Sequence, residues 1–370
     1  MITIKNITIA ELSGFIQSNE YRKMSVIPIS RHRALSHVFN PHARPDDKVL
    51  FMAYYNNKFV GYLGAMPDEL TINNEKIRIA WLSCMWVDSS MRGKGIAPQL
   101  LKHAHEIWDG NLLITNFIPV AKRAYDKTGL FTEFKILDGV RGYLRFNLNE
   151  ILVAKKPGLK RIQRLLLFAD WLLNIPNGLR LTNWKKRSSP GKIIFEYINE
   201  IDGETYTFIS KFSEGHFTPK TSHEFHWMIK YPWILDAPYD DLNARRYDFS
   251  SRIYNFKQFF IKVYDVDYKV IAFLMLTSRG THLKTPYLYY NDKDVDVVKR
   301  LVFAHAMKTG TKTLSTFDHA LAISVKSGKN PFILCRNMQF KILISKKLKE
   351  KLGNTEKLFF YEGDGDAAFV

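Results

Sequence analysis

In Val87-Asp88-Ser89-Ser90-Met91-Arg92-Gly93-Lys94-Gly95-Ile96-Ala97 an apolar run ends, two glycines turn the chain, and a helical pattern opens at about Ile96. Small residues stand where the backbone must come close. Backbone N–H groups exposed at such a helix start attract an anion, helped by the helix dipole and here by Arg92 and Lys94. A diphosphate suits the turn. The spacing is neither GxxxxGK[ST] nor GxGxxG.

The order of elements around this turn is that of an α/β (α+β) protein. Upstream, VLFMAYYNNKFVGYLG (Val49 to Gly64) places two apolar runs around Asn56-Asn57, a pair that tolerates positive φ, and predicts a hairpin. Asn73-Asn74 marks the next turn, and IRIAWLSCMWVD (Ile77 to Asp88) is a long strand. Downstream come a helix, GIAPQLLKHAHEIW, a strand, Leu112 to Ile118, and a second helix, VAKRAYDKT, stopped by Gly129. The N-terminus reads as a short strand and a helix start, without the features of a signal peptide. No run of about 18 apolar residues exists. A cytoplasmic location is the expectation, with a peripheral membrane contact as the variant.

Arg92-Gly93-Lys94-Gly95-Ile96-Ala97 resembles motif A of the GNAT acetyltransferases, Arg/Gln-x-x-Gly-x-Gly/Ala, and the strand ending Trp86-Val87-Asp88 also matches. Ala121-Lys-Arg-Ala-Tyr125-Asp-Lys-Thr-Gly129-Leu-Phe131 is similar to the family's AxxxYxKxGF segment, with Leu130 inserted before the aromatic. The resemblance covers roughly residues 1–150. It implies a GNAT-like mixed sheet flanked by helices, with acetyl-CoA as co-substrate. The backbone of Arg92, Gly93, Lys94, Gly95, Ile96 and Ala97 would cradle the pyrophosphate. The main chain of Met85, Trp86 and Val87 would pair with the pantetheine arm and polarise the thioester carbonyl. Tyr125 occupies the place of the family's general acid, which the departing thiolate requires. The family asparagine falls at Ile118, so Asn116, two residues earlier, is the candidate for that contact.

The general base is not legible. Asp68 and Glu69 are candidates, with His37 and His42 behind them, and a solvated surface group is the competing reading for each. Cys84 reads as an apolar strand cysteine rather than an acyl carrier. The two cysteines are too few for a disulfide framework, and no Cys/His cluster has metal-ligand spacing, so no metal is expected.

Three divisions follow: 1–150 as the catalytic domain, 151–190 as a basic helical connector, and 191–370 as a diverged GNAT-like domain without the CoA motif. Lys269 to Leu276 echoes Lys58 to Ala65, and HALAISVKSG echoes AKRAYDKTG. LKTPYLYYNDKD, with Lys284, Tyr287, Tyr289 and Tyr290, replaces the glycine turn. The chain carries a formal charge of +18. The connector holds 9 Lys/Arg and 1 Asp/Glu, against 19 and 14 in residues 1–150 and 26 and 21 in 191–370. One local contact with something anionic is therefore expected rather than a basic face. In LKRIQRLLLFADWLLN, Ile162, Leu165, Leu166, Ala169, Leu172 and Leu173 share one face, and Pro176-Asn177-Gly178 is expected to end the helix. KKRSSPG (Lys185 to Gly191) reads as an exposed loop. A core helix clamping two domains is the preferred reading, and a membrane-surface anchor the other. His216 to Ile234 is aromatic-rich and reads either as a saccharide platform or as core.

Function then narrows to transfer of an acetyl or other acyl group, by direct attack, to an amine of a small or glycan-like acceptor. RALSHVFNP (Arg33 to Pro41) and PDEL (Pro67 to Leu70) look similar to polysaccharide-cluster GNAT proteins, which points to a nucleotide- or lipid-linked amino sugar. The alternatives are an RNA-modifying acetyltransferase or CoA-sensing nucleic-acid regulator, and an aminoacyl transferase of the two-domain peptidoglycan-bridge type. No basic-aromatic RNA motif supports nucleic acid.

Overall fold

Strand β1 (Ile2–Thr8) passes into helix α1 (Ile9–Gln17) at Thr8, whose hydroxyl accepts the Glu11 N–H while the Glu11 carboxylate accepts the Thr8 N–H. That reciprocal cap satisfies donors the first helical turn would otherwise leave bare. Helices α2 (Asn19–Lys23) and α3 (Arg31–Val38) follow, each capped by a serine. The hairpin forms where expected, between β2 (Lys48–Tyr55) and β3 (Lys58–Ile72), with Asn56 and Asn57 at φ 47° and 63°. Strand β4 (Glu75–Val87), helix α4 (Ile96–Ile107), strand β5 (Leu112–Ile114) and helix α5 (Pro119–Thr128) complete the run, and Gly129 ends α5 at φ 68°. β5 is shorter than expected, because the chain leaves the sheet at Thr115. This computed structural model describes residues 1–72, 75–115, 117–187, 193–237, 245–327, 330–353, 355 and 357–369. The Asn73-Asn74 turn, Asn116 and the end of the Lys185–Gly191 loop from 188 lie outside the described residues.

The chain forms two compact units that interleave in sequence. One comprises Met1–Leu137, Asn199–Phe256 and Phe340–Val370, the other Asp138–Ile198 and Lys257–Gln339. The expected divisions at 150 and 190 do not coincide with them. The reason is strand exchange. In the first unit β5 pairs antiparallel with the far end of the chain, Leu343↔Ile114 and Ile344↔Leu113, on strand β14 (Leu334–Ser345). In the second unit strand β13 (Thr313–Thr316) pairs with β6 (Phe131–Tyr143), through Thr313↔Tyr143 to Thr316↔Val140. Strand partners 170 or more residues apart leave no local mark in the sequence.

The first unit's mixed sheet has the order β1-β2-β3-β4-β5, then residues 340–345 of β14 and 131–137 of β6. One face packs under α4 and α5 with Phe51, Leu63, Ala80, Leu82, Leu100, Leu112 and Tyr125. The other packs with α1 through Leu12, Phe15, Leu50, Met52 and Tyr62. Each leucine, phenylalanine or methionine among them, fully buried, contributes about 1.5–3 kcal/mol. The aromatic stretch after His216 joins this unit as core: Phe217, Phe225, Trp227 and Trp233 are all buried. Trp227 and Trp233 donate their indole N–H groups to the Ser36 carbonyl and hydroxyl. The saccharide-platform reading falls with that burial.

The second unit repeats the order of the first. β7 (Ile194–Tyr197), β10 (Lys257–Tyr264), β11 (Val270–Arg279) and β12 (His282–Tyr290) are antiparallel, and β12 pairs parallel with β13, as β4 does with β5; the two-residue strands β8 (Leu235–Asp236) and β9 (Arg252–Ile253) pair with each other in the first unit. Helices Val295–Lys308 and His319–Ser327 stand where α4 and α5 stand. The connection from β12 to its helix, Asn291-Asp292-Lys293-Asp294, holds two acids and no glycine. The aromatic residues before it, Tyr287 and Tyr289, are buried strand residues stacked on each other.

The connector departs from expectation. Helix α6 (Leu148–Lys155) is followed, after a 3-10 turn, by α7, which runs Gln163–Arg187 straight through Pro176. Asn174 and Asn177 bracket the proline and bond the Phe146 and Leu144 carbonyls, which holds both sides in one helix. Gly178 has no positive φ and so provides no cap. Lys185 and Lys186 are therefore helical. On the face expected to clamp two domains, Leu165, Phe168, Trp171, Leu172, Ile175 and Leu179 are exposed.

Candidate active site

β4 carries the first element of the site. Ser83 faces Gly64 and Trp86 faces Tyr62, so Cys84 and Met85 together oppose Leu63 alone. This is a β-bulge, and Cys84 takes the left-handed conformation at φ 54° that the extra residue requires. At the same level β4 loses its other neighbour. Its parallel pairs with β5 are Ala80↔Leu112, Trp81↔Leu113 and Leu82↔Ile114, and β5 ends there. Trp86 and Val87 thus pair with β3 on one edge, Met85 lies in the bulge, and among the described residues none of the three pairs with a strand on the other edge.

The turn after β4 is the second element. Gly93 and Gly95 have φ 83° and 79°, and Gly95 is the N-cap of α4, with no side-chain cap. Among the described residues the N–H groups of Gly93, Gly95, Ile96 and Ala97 have no backbone acceptor. A Cβ on Gly93 would meet nothing within 4 Å, and one on Gly95 only the Gln99 amide at 3.9 Å. The glycines are there for their φ, and the space above them is open. N–H groups without a backbone partner at a helix N-terminus, with Arg92 and Lys94 next to them in sequence, are chemically suited to an anion. Among the described residues no cluster of His, Cys, Asp or Glu could hold a metal ion.

Tyr125 is the third. It is buried under Phe117 and Phe131. Burial, then Asp366 and Cys84, push its hydroxyl pKa up, so it carries its proton at neutral pH. Asp366 is a residue the sequence reading did not find. The Thr115 hydroxyl, one residue beyond the last β5 pair, donates to Asp366 Oδ1 at 2.9 Å. Two features bring the C-terminal segment there. Asp364 pairs with the buried His216 imidazole. Gly365, at φ 70°, lies so close to the Trp81 ring that a Cβ would come within 2.8 Å of it. Asp366 also acts electrostatically on Arg33, Cys84 and Tyr125.

Arg33, on α3, holds the bulge from the face opposite α4. It is buried, and its guanidinium donates to Cys84 Sγ, Ser83 Oγ and the His37 ring, and lies 3.8 Å from the Trp233 ring centroid. Tyr247 donates to Cys84 Sγ at 3.3 Å. Burial raises the Cys84 thiol pKa against the pull of Arg33, which leaves a thiol rather than a nucleophilic thiolate. His37 is no solvated imidazole: burial, then Arg33, lower its pKa well below the usual value, and it is neutral.

Asp68 and Glu69 stand elsewhere. Asp68 pairs with Ile79, six residues along β4 from Met85, which is about 20 Å of strand. Asp68 is buried rather than solvated. It accepts the Trp81 indole N–H at 3.0 Å and the Lys220 ammonium at 3.1 Å, and lies 3.4 Å from His42. His42 also meets Glu224 at 2.9 Å. Burial works against the Glu224 charge, but bonds from His42 and Thr221 and the Lys220 charge outweigh it and hold the carboxyl down at about 2. Glu69 pairs with Lys76. A polar cavity of about 470 Å³ opens here, with His42, Arg44, Glu69, Lys76, Arg78 and Glu224 in its wall. Neither expected base is brought to the parted strands.

A bulged strand thus loses its parallel neighbour shortly before a glycine turn that opens a helix. Residues 17–110 match the Acetyltransferase (GNAT) family, Acetyltransf_1. Among solved structures it is similar to a GCN5-related N-acetyltransferase from Anabaena variabilis, at 10% identity over 93% of this chain and 72% of that one, with a TM-score of 0.48. A GCN5-related N-acetyltransferase from Kribbella flavida gives 10%, 92%, 70% and 0.43. The Saccharomyces cerevisiae N-myristoyltransferase with bound myristoyl-CoA gives 12%, 93%, 79% and 0.47. No curated protein sequence matches the chain.

Proposed function

We propose that this protein is an acetyl-CoA-dependent N-acetyltransferase acting by direct attack on an amine of a small or glycan-like acceptor, a nucleotide- or lipid-linked amino sugar being the class favoured. The observation that carries the reading is the coincidence, at one level of the sheet, of the Cys84–Met85 bulge with the end of the β4–β5 pairing. Acetyl-CoA supplies the thioester. The Gly93–Ala97 backbone holds its diphosphate, and main-chain donors at Met85–Val87 polarise the carbonyl. Asp366 takes the proton of the attacking amine, the N–C bond forms, the C–S bond breaks, and Tyr125 protonates the departing thiolate. Asp68 and Glu69 keep a structural role in this scheme. The cytoplasm is the proposed location, since acetyl-CoA is found there, and no described helix is long and apolar enough to cross a membrane.

The test of the base is Asp366→Asn. Turnover at neutral pH should fall about 100-fold or more, with acetyl-CoA affinity unchanged. The deficit should shrink as pH rises, because a growing share of the amine is then already neutral. Thiol release compared between acetyl-CoA and a long-chain acyl-CoA, over amino sugars, amino acids, lysine peptides and RNA, fixes donor and acceptor. Activity within about twofold of wild type, with the same pH profile, would remove Asp366 from the mechanism.

A further inference from the structure

Helix α7 turns its polar side inward. Asp170 is buried and accepts the Leu148 and Asn149 N–H groups at 2.6 and 3.0 Å, capping the start of α6. Asn174 accepts the Phe146 N–H and donates to the Phe146 carbonyl, and Asn177 donates to the Leu144 carbonyl. Leu181 completes this buried stripe at 7% exposure. Residues 170, 174, 177 and 181 share one face at helical spacing. The rotation of the helix is therefore fixed by polar bonds to a neighbouring backbone, and its apolar residues face out. Leu165 is 63% exposed, Phe168 57%, Trp171 60%, Leu172 52%, Ile175 50% and Leu179 69%. Phe168 and Trp171 lie side by side, ring centroids 5.7 Å apart.

Cations flank this surface at both ends. Lys155, Lys156, Lys160, Arg161 and Arg164 precede it and Lys185 and Lys186 follow it, all exposed. The one acid between 151 and 187, Asp170, is buried. We propose that α7 and the segment before it form a peripheral membrane-docking surface that lays the Phe168–Trp171 face into an anionic lipid bilayer. The charge selects among occupants. A second copy would set cations against cations. A neutral apolar partner would leave the flanking charges without a role. An anionic lipid surface satisfies both features at once, with aromatic and aliphatic side chains in the headgroup boundary and lysines and arginines on the phosphates. The helix is too polar on its anchored side to span, in accord with the absence of any spanning helix among the described residues.

The full chain is to be floated with phosphatidylcholine vesicles and with vesicles containing about one third phosphatidylglycerol. Binding is expected to the anionic vesicles only, weakening as salt rises. Charge reversal at Lys155, Lys156, Lys160 and Arg161 should lower the vesicle partition about 100-fold or more. The pair Phe168→Ser and Trp171→Ser should lower it about tenfold while leaving the melting temperature and acetyl-CoA binding unchanged, since both side chains already face water. Wild type that ignores anionic vesicles at low salt overturns the proposal. So does a serine pair that binds vesicles like wild type, or one that converts a sedimenting dimer to monomer, which would make the face a contact between copies. Failure of acyl transfer leaves each of these outcomes readable.

Discussion

Tyr125→Phe should lower turnover about 100-fold or more, the contribution usual for a positioned proton donor, and leave acetyl-CoA affinity unchanged. The ring stays, so the edge contacts with Phe117 and Phe131 stay with it. The hydroxyl alone is lost. Burial, Asp366 and Cys84 raise its pKa, so it is protonated throughout the range in which the amine acceptor is usable. Its ionisation should consequently contribute no alkaline fall to the wild-type rate. Single-turnover kinetics separate the two steps: binding intact, thiol release slow. Turnover within about twofold of wild type would remove Tyr125 from the chemistry.

Gly95→Glu should abolish acetyl-CoA binding and leave the fold standing. The left-handed φ of 79° at this position costs a non-glycine residue roughly 1–2 kcal/mol, which a domain of this size tolerates. The new Cβ has room, with only Gln99 near it at 3.9 Å. The carboxylate does the damage. Two like charges 4 Å apart near a protein surface cost about 4 kcal/mol, and a diphosphate brings more than one. That exceeds a 100-fold loss of affinity. Gly95→Asn, which accepts a left-handed φ without adding charge, should lose far less. Calorimetry and thermal melting of the three chains side by side read this out. An acetyl-CoA affinity in the glutamate variant equal to wild type would place the diphosphate elsewhere.

What could be read in advance divides by distance along the chain. The hairpin at Asn56-Asn57, the glycine turn, α4 and α5 with its Gly129 stop depend on contacts within about twenty residues, and each was legible. The strand exchange was not, since Leu343↔Ile114 and Thr313↔Tyr143 join positions with no common local pattern. Asp366 escaped for the same reason: its partner Thr115 lies 251 residues away. Asp68 and Glu69 drew notice as adjacent acids after a hairpin, but local sequence does not say that Lys220 and Trp81 will enclose the first of them. In α7 the apolar count suggested burial. The outcome was set instead by Asp170, Asn174 and Asn177, which had backbone groups to bond and so took the inward face.

The second unit sharpens the account, because it repeats the bulge without the cradle. Met275 faces Tyr287 and Thr277 faces Lys284, so β12 has one residue more than β11, as β4 has beside β3. Yet the connection that follows offers Asp292 and Asp294 to a phosphate instead of two glycines. If the cradle, rather than the bulged strand alone, makes the site, the chain holds one acetyl-CoA. Calorimetric titration of the full chain with acetyl-CoA measures this directly. The account predicts a single site per chain; no site, or two, would contradict it.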